Sequence, residues 1–199
     1  MSRVRALLWD ADGVLQHNEL DWQERLDFVG GEGFAEVLFV AELPALRGET
    51  SLRAALQQAV DGWDGPTPSV EELLTLWERT VVDADAMRIV DDTRARGILT
   101  CLATNQQDHR VAWMTERLGY LEHFDRTYWS SRMGVIKPEE EFFRFILDDL
   151  GIDASEVGFI DDLPVNVAAA QAVGIRAICH DPASGAAVLR REVAELFAD

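Results

Sequence analysis

The chain has 199 residues, of which 48% are hydrophobic and 27% are charged, and its formal net charge at pH 7 is −18. This length suits one α/β domain that carries a small inserted module. A chain this acidic repels the phosphate backbone of nucleic acids and the surface of anionic membranes. We therefore expect neither nucleic acid nor a membrane as partner, and a site for an anionic substrate must supply its own local positive charge.

Apolar runs in the sequence are strand-sized, as at Ile98 to Ala103, and fall far short of the ~20 residues that a membrane-spanning helix needs. The arginine-containing apolar stretch of residues 1–9 is too short for a secretion signal and leads directly into Asp10. We therefore expect a cytoplasmic protein, either a monomer or a homodimer. In a reducing compartment, Cys101 and Cys179 are expected to be two buried thiols rather than a disulfide or a metal site.

The first predicted element is a strand buried on both faces, at Val4 to Trp9, because the run is short, apolar and flanked by polar residues. From about Asn18 to Asp83 the apolar residues follow a helical period instead. Within this segment Ser69 and Glu72 have the spacing of a capping box at a helix start, and either Thr50 or Ser51 opens the preceding helix. The segment is predicted to be a bundle of about four helices.

After residue 83 the pattern alternates between helices and strands. Such alternation indicates a parallel sheet with helices on both faces, a Rossmann-like doubly wound α/β fold. The predicted helices are Asp85–Arg96, Arg110–Gly119, Pro138–Leu150, Asn166–Val173 and Ser184–Phe197, and the predicted strands are Ile98–Ala103, Arg126–Trp129, Val157–Ile160 and Arg176–Cys179.

Ligands of such sheets bind at the carboxyl ends of the strands, which directs attention to the residues that follow each strand. Asp10 and Asp12 follow the first strand, and two carboxylates one residue apart in an extended segment point the same way. Thr104 and Asn105 follow the next strand and offer a hydroxyl and an amide that could hold phosphate oxygens. Taken singly, each of these pairs also fits an ordinary turn or a helix cap.

Two further polar positions complete this set. Lys137 lies just before a predicted helix, where its ammonium group could neutralise an anion. Asp161 and Asp162 end another strand, and magnesium prefers such carboxylate ligands. A surface lysine and a pair of helix-capping aspartates are the alternatives at these positions.

In order and spacing, these four signals together resemble the motifs of the haloacid dehalogenase superfamily. Its first motif, Asp-Xaa-Asp-Gly-Xaa, matches Asp10 to Val14, and its second, a Thr or Ser at a strand end, matches Thr104. Its third, a lysine often followed by proline, matches Lys137-Pro138. Its fourth, an acidic pair at a strand end, matches Asp161-Asp162. The resemblance extends over nearly the whole chain.

The resemblance implies a phosphohydrolase that acts on a small phosphorylated metabolite. Asp10 would be the nucleophile that becomes phosphorylated, and Asp12 would be the general acid and then the general base. Thr104 and Lys137 would hold the oxygens of the transferring phosphoryl group.

The resemblance also implies a magnesium ion, bound by the Asp10 carboxylate, the backbone carbonyl of Asp12 and the Asp162 carboxylate. When Asn166-Val167-Ala168-Ala169 is aligned with the pattern of the superfamily, Asp162 rather than Asp161 falls at the position of the metal ligand. Many relatives carry Asp where this chain has Asn166, a position expected to contact the hydration shell of the metal or Lys137.

Residues 18–83 then resemble an all-helical cap inserted into a core formed by residues 1–17 and 84–199. The candidates for substrate contact in this cap region are His17, Trp22, Arg47, Trp63 and Trp77. A phosphomutase shares the same motifs and remains an alternative, as does a non-catalytic protein that binds phosphorylated ligands. Dehalogenases of the superfamily lack the second acidic residue of the first motif, so Asp12 favours phosphorus chemistry.

Overall fold

The computed structural model describes residues 4–19 and 21–198. Its strands are β1 (Ala6–Trp9), β2 (Gln16–Asn18), β3 (Thr80–Val82), β4 (Leu99–Thr104), β5 (Arg126–Trp129), β6 (Val157–Asp161) and β7 (Arg176–Cys179). Its helices are α1 (Trp22–Gly30), α2 (Phe34–Leu46), α3 (Leu52–Asp61), α4 (Val70–Trp77), α5 (Ala84–Ala95), α6 (Asp108–Glu116), α7 (Tyr120–His123), α8 (Ser130–Met133), α9 (Glu140–Leu150), α10 (Pro164–Ala172) and α11 (Ala186–Leu196). Residues 1–3, 20 and 199, which the predicted domains include, lie outside the described residues.

Five parallel strands form the main sheet in the order β5-β4-β1-β6-β7. The central strand β1 pairs on both sides, with Leu8 opposite Cys101 of β4 and Phe159 of β6. A strand in this position has neighbours in the sheet and helices above and below, which is why its sequence is a continuous apolar run. The predicted α/β class and the parallel sheet are confirmed.

Side chains of β1 alternate between two separate layers of hydrophobic core. Leu7 and Trp9 pack with residues of α5, α6 and α11 on one face of the sheet. Ala6 and Leu8 pack with residues of α9 and α10 on the other face. Helices therefore cover both faces, and the polar residues at the strand ends emerge at one edge of the sheet.

Helices α1 to α4 enclose a third hydrophobic cluster of their own. The predicted capping box is formed: the Ser69 hydroxyl accepts from Glu72 N at 3.3 Å, and the Glu72 carboxylate accepts from Ser69 N at 2.8 Å. Ser51 caps α3 by accepting from Ala54 N at 3.2 Å. The buried side chains of this cluster include Leu26, Phe34, Leu38, Leu52, Leu56, Leu73 and Trp77.

A short antiparallel ribbon of β2 and β3, which the sequence pattern does not predict, closes the ends of this helical segment. Gln16 pairs with Val82, and Asn18 pairs with Thr80. The ribbon pairs the segment that leaves the core for helices α1 to α4 with the segment that returns from them. The domain limits at residues 17/18 and 83/84 stay a prediction.

Among residues 4–19 and 21–198, none of the helices is long and apolar enough to cross a membrane.

The ends of the predicted helices and strands differ from the observed ends by at most three residues. Two departures from the sequence predictions have a clear local cause. The helix predicted to start at Pro138 starts at Glu140, because Glu139 N donates to Ile136 O at 2.9 Å and closes a turn there. Cys101 is buried as expected, but Cys179 is exposed because it is the last residue of the edge strand β7.

The helical segment is docked on the core through a close approach at Gly48, between α2 and α3. Gly48 has a φ of +71°, and a Cβ atom there would collide with the carbonyl oxygen of Ser131. Gly97 provides a matched control, because its φ is +80° and a Cβ atom there would meet nothing within 4 Å.

We predict that Gly48→Ala lowers the free energy of unfolding by clearly more than Gly97→Ala, measured by urea titration. Gly97→Ala should cost about 1–2 kcal/mol from the left-handed backbone alone. Gly48→Ala should cost more, since the neighbouring carbonyl belongs to the backbone and cannot rotate away. Equal losses in the two variants would mean that the docking contact at Gly48 is absent in solution.

Candidate active site

A buried ion-pair network lies at the carboxyl end of the sheet, centred on Lys137. Its Nζ atom lies 2.8 Å from Asp10 Oδ1 and 2.6 Å from Asp161 Oδ2. The side chains of Lys137 and Asp161 are 1% and 0% exposed. One ammonium group therefore bridges the carboxylates that end the adjacent strands β1 and β6, as the alignment of their strand ends predicts.

The backbone around Lys137 is held by Asn105, which follows β4. Lys137 N donates to Asn105 Oδ1 at 2.9 Å, and Asn105 Nδ2 donates to the carbonyl oxygen of Lys137 at 2.9 Å. Both polar atoms of the amide thus bond to the backbone of one residue. This contact revises the expected role of Asn105: we propose that it positions the lysine rather than binding phosphate.

Asp161 is fully engaged by protein donors. Besides Lys137, it accepts from Leu163 N at 2.8 Å and from Asn166 Nδ2 at 2.9 and 3.1 Å. Asn166 lies in the first turn of α10, directly over this carboxylate, so it contacts Asp161 rather than Lys137. Of the two contacts expected for Asn166, the one with Lys137 is not formed, and Asn166 instead supports the carboxylate that holds the lysine. The contact with the hydration shell of a metal stays a prediction.

The carboxylate of Asp162 completes an acidic cluster with Asp10 and Asp161. One oxygen from each of the three lies within 4.8 Å of the others. No hydrogen bond from another residue of the described part of the chain reaches the Asp162 carboxylate. Gly13, with a φ of +76°, permits this approach, because a Cβ atom there would collide with the Asp162 carboxylate. Since Asp161 is engaged by Lys137, we propose Asp162 rather than Asp161 as the metal ligand of the pair.

The electrostatics of the cluster favour an additional cation. Burial raises the pKa of Asp10 from 3.8 to about 7, against the opposing effect of Lys137. Burial, followed by the charge of Asp161, raises the pKa of Asp162 from 3.8 to about 6. Carboxylates resist ionisation in this way when the local positive charge is insufficient. The donor set of carboxylate oxygens fits a magnesium ion.

The carboxylate of Asp12 is surrounded by three donors. Its carboxylate accepts from Gln16 Nε2 at 2.9 Å, Gln106 Nε2 at 2.6 Å and Arg110 Nη2 at 2.8 Å. Tyr120 in turn donates to Gln16 Oε1 at 2.8 Å. The side chain of Asp12 is 40% exposed and that of Arg110 only 6%. Asp12 is therefore accessible but firmly oriented.

Sequence reasoning missed these three residues around Asp12. For Arg110 the available signal was a cation that follows shortly after Thr104 in a strongly acidic chain. Gln106 and Gln16 carried no comparable signal, since amides occur in any polar loop. Thr104 itself is buried at the end of β4, and its hydroxyl lies 3.4 Å from Gln106 Nε2. The sheet thus brings Thr104 to the same edge as the acidic cluster.

Two of the candidates for substrate contact, Arg47 and Trp63, form contacts that hold the helical segment together or fix it to the core. The guanidinium of Arg47 forms a two-pronged ion pair with Glu139 of the core, with Nη1 3.1 Å from Oε2. The indole N–H of Trp63 donates to the carbonyl oxygen of Gly30 at 2.9 Å, and its ring lies 5.4 Å from that of Phe34.

The other three candidates lie closer to the site or at its margin. Trp77 is buried, and its Nε1 donates to Glu42 Oε1 at 2.7 Å. Trp22 packs edge-on against Trp77 at a centroid distance of 4.9 Å, with the Arg110 guanidinium 5.6 Å from its ring. His17 is exposed on β2. Trp22 is thus the tryptophan that borders the residues around Asp12.

The chain is similar in sequence to known hydrolases. A family model described as haloacid dehalogenase-like hydrolase matches residues 4–174. The chain is 25% identical over 197 residues to a phosphoglycolate phosphatase of Pectobacterium atrosepticum, covering 89% of this chain and 80% of that protein. It is 30% identical over 109 residues to bifunctional epoxide hydrolase 2 of Mus musculus, covering 52% of this chain and 20% of that protein. The chain therefore spans about a fifth of the length of the mouse relative.

Solved structures share the fold. A haloacid dehalogenase (HAD) family enzyme of Bacteroides thetaiotaomicron, in its magnesium complex, matches with a TM-score of 0.84 at 23% identity, covering 96% of this chain and 100% of that chain. The same enzyme with magnesium and inorganic phosphate matches with a TM-score of 0.80 at 22% identity, covering 94% and 98%. At these identities the likeness establishes the α/β fold.

The raised pKa of Asp10 generates a prediction for the metal-free protein. A carboxyl whose folded-state pKa exceeds its unfolded value binds more protons when folded, so it loses stabilising effect as pH rises. The free energy of unfolding should fall as pH increases from the unfolded pKa of 3.8 to about 7. Asp10→Asn should flatten this fall, and saturating magnesium should oppose it in the wild type.

The measurement is urea unfolding across that pH range after removal of divalent ions with a chelator. Asp64→Asn, at an exposed position, is the matched control and should keep the wild-type slope. An Asp10→Asn variant with an unchanged slope would contradict the electrostatic description of the cluster.

Proposed function

Because the chain belongs to the haloacid dehalogenase-like hydrolase family, we propose that it is a magnesium-dependent phosphohydrolase that cleaves a small phosphomonoester through an aspartyl-phosphate on Asp10. The observation that carries this proposal is the bridge from Lys137 Nζ to Asp10 Oδ1 and Asp161 Oδ2. This bridge places the proposed nucleophile Asp10, at the end of β1, beside the buried ammonium group of Lys137, where a phosphoryl group can be held.

The first half-reaction transfers the phosphoryl group to Asp10. A carboxylate oxygen of Asp10 forms a bond to phosphorus, and the bond from phosphorus to the leaving oxygen breaks. Asp10 Oδ1 is oriented by Lys137 and by Ala11 N, which donates to it at 2.8 Å. Lys137 and the hydroxyl of Thr104 contribute positive charge and a hydrogen bond to the phosphoryl oxygens.

Asp12 handles the protons in both halves of the reaction. As general acid it gives its proton to the leaving oxygen, and as general base it takes a proton from the water that cleaves the aspartyl-phosphate. Gln16, Gln106 and Arg110 orient its carboxylate, and its 40% exposure leaves it accessible to a leaving group.

The residues that would hold magnesium are Asp10, the backbone carbonyl of Asp12 and Asp162. Bound there, the ion would neutralise the nucleophile and the substrate phosphate, which is the main electrostatic demand of phosphoryl transfer. The raised pKa values of Asp10 and Asp162 support this assignment, as does the magnesium complex of the structurally similar Bacteroides enzyme. The phosphoglycolate phosphatase relative supports phosphate ester hydrolysis over phosphate transfer within a sugar.

We predict that the wild-type protein releases inorganic phosphate from phosphomonoesters only when magnesium is present, and that Asp10→Asn abolishes this release. The measurement is phosphate release from a panel of esters, with and without magnesium. Asp64→Asn serves as the control and should keep full activity. Turnover at near wild-type rate by Asp10→Asn would rule out the proposed nucleophile.

We further predict that Asp12→Asn slows hydrolysis of an alkyl ester such as glycerol 3-phosphate by about 10²–10⁴-fold, the usual contribution of general acid–base catalysis. Formation of the aspartyl-phosphate from p-nitrophenyl phosphate should slow less, because p-nitrophenolate leaves without a proton. Burst kinetics measure that step separately from hydrolysis of the intermediate. Equal losses in the first step for both esters would contradict the acid role of Asp12.

A further inference from the structure

Glu42 is a carboxylate at the junction of the helical segment and the core that the proposed mechanism does not use. It lies on α2, and its Oε1 accepts from Trp77 Nε1 at 2.7 Å and from Gln107 Nε2 of the core at 3.4 Å. The neighbour of Gln107, Gln106, donates to Asp12. Glu42 thus lies close enough to Asp12, the proposed general acid, for the charge of Asp12 to act on it.

The second oxygen of this carboxylate is available to a ligand. No donor among residues 4–19 and 21–198 forms a hydrogen bond to Glu42 Oε2. Burial raises the pKa of Glu42, and the charge of Asp12 acts in the same direction. The Glu42 side chain is only partly buried, so this oxygen can exchange water for a ligand donor.

Arg110, the cation whose charge acts on Glu42, is already paired with another carboxylate. Arg110 Nη2 lies 2.8 Å from Asp12 Oδ1 and 3.3 Å from Thr80 Oγ1. Lys137 lies between Asp10 and Asp161. A leaving group that carried its own negative charge would therefore meet the carboxylates of Glu42 and Asp12, and the nearby guanidinium of Arg110 is already paired with Asp12.

We propose that Glu42 selects the leaving group: it accepts a hydrogen bond from a hydroxyl of a neutral, hydroxylated leaving group and disfavours one that carries a second anionic group. This inference rests on the proposed phosphohydrolase function and specifies its substrate class. A site built to bind a hydroxyl discriminates strongly against an analogue that lacks it, because the polar group is left unpaired. A like charge placed opposite adds a further penalty.

Glycerol 3-phosphate and 3-phosphoglycerate form a matched test pair, since they differ in a CH₂OH group against a carboxylate. The wild type should favour glycerol 3-phosphate in kcat/KM by at least about tenfold. Glu42→Gln, which keeps the shape and removes the charge, should reduce this ratio by about tenfold. Glu42→Asp, which keeps the charge, should retain discrimination against 3-phosphoglycerate. Glu36→Gln, at an exposed position of the same helix, makes the same charge change and should leave the ratio unchanged.

The buried Nε of Arg110 has no hydrogen-bond partner and offers a competing explanation, in which an anionic leaving group binds the guanidinium. A wild-type preference for 3-phosphoglycerate that Arg110→Met removes would establish that alternative and overturn the role of Glu42. A ratio that Glu42→Gln leaves unchanged would overturn it equally, provided that thermal unfolding shows the variant to be folded.

Binding measurements separate this inference from the proposed function. Dissociation constants for the same two esters are measured by calorimetry with magnesium, in an Asp10→Asn background with and without Glu42→Gln. The inference expects the preference for glycerol 3-phosphate to shrink with Glu42→Gln, whether or not the wild type turns over. Unchanged dissociation constants would contradict the inference, whereas an absence of phosphate release from every ester would contradict the proposed function alone.

Discussion

Three carboxylates crowd the end of the sheet, and a single ammonium group, that of Lys137, touches two of them. The chain as a whole carries a net charge of −18, so the surrounding protein adds to the repulsion instead of relieving it. Burial at this point makes the interaction strong, because little water is present to screen it. The turn before α9, the clamp from Asn105 and the support of Asp161 by Asn166 all hold that one cation in place.

The same constraint links stability to chemistry. The cluster raises the pKa values of Asp10 and Asp162, and we propose that a bound cation relieves this unfavourable burial of charge. Asp161 is satisfied by protein donors, while Asp162 is left without one, so the two adjacent aspartates divide into a support for Lys137 and a candidate metal ligand. The helical segment brings Trp22 and Glu42 to the side of the site where Arg110 of the core pairs with Asp12.

Much of this arrangement could be predicted from sequence because it follows from strand ends. The runs that end at Asp10, Thr104 and Asp161 are short and apolar, and parallel strands must bring their carboxyl ends to one edge. The contacts of Asn105 and Asn166 could not be predicted, since an amide can bond to phosphate, backbone or carboxylate with equal ease. The exposure of Cys179 depends on β7 being the edge strand, which local sequence does not reveal.

The central claim is that Asp10 becomes phosphorylated, and peptide mass spectrometry of acid-quenched protein tests it most directly. The protein is mixed with magnesium and p-nitrophenyl phosphate, quenched in acid within the first turnovers and digested. We expect a phosphoryl group on the peptide that contains Asp10 in the wild type and none on that peptide in Asp10→Asn. Phosphate release by a wild type that carries no phosphoryl group on Asp10 at any quench time, or the group on another residue, would contradict the claim.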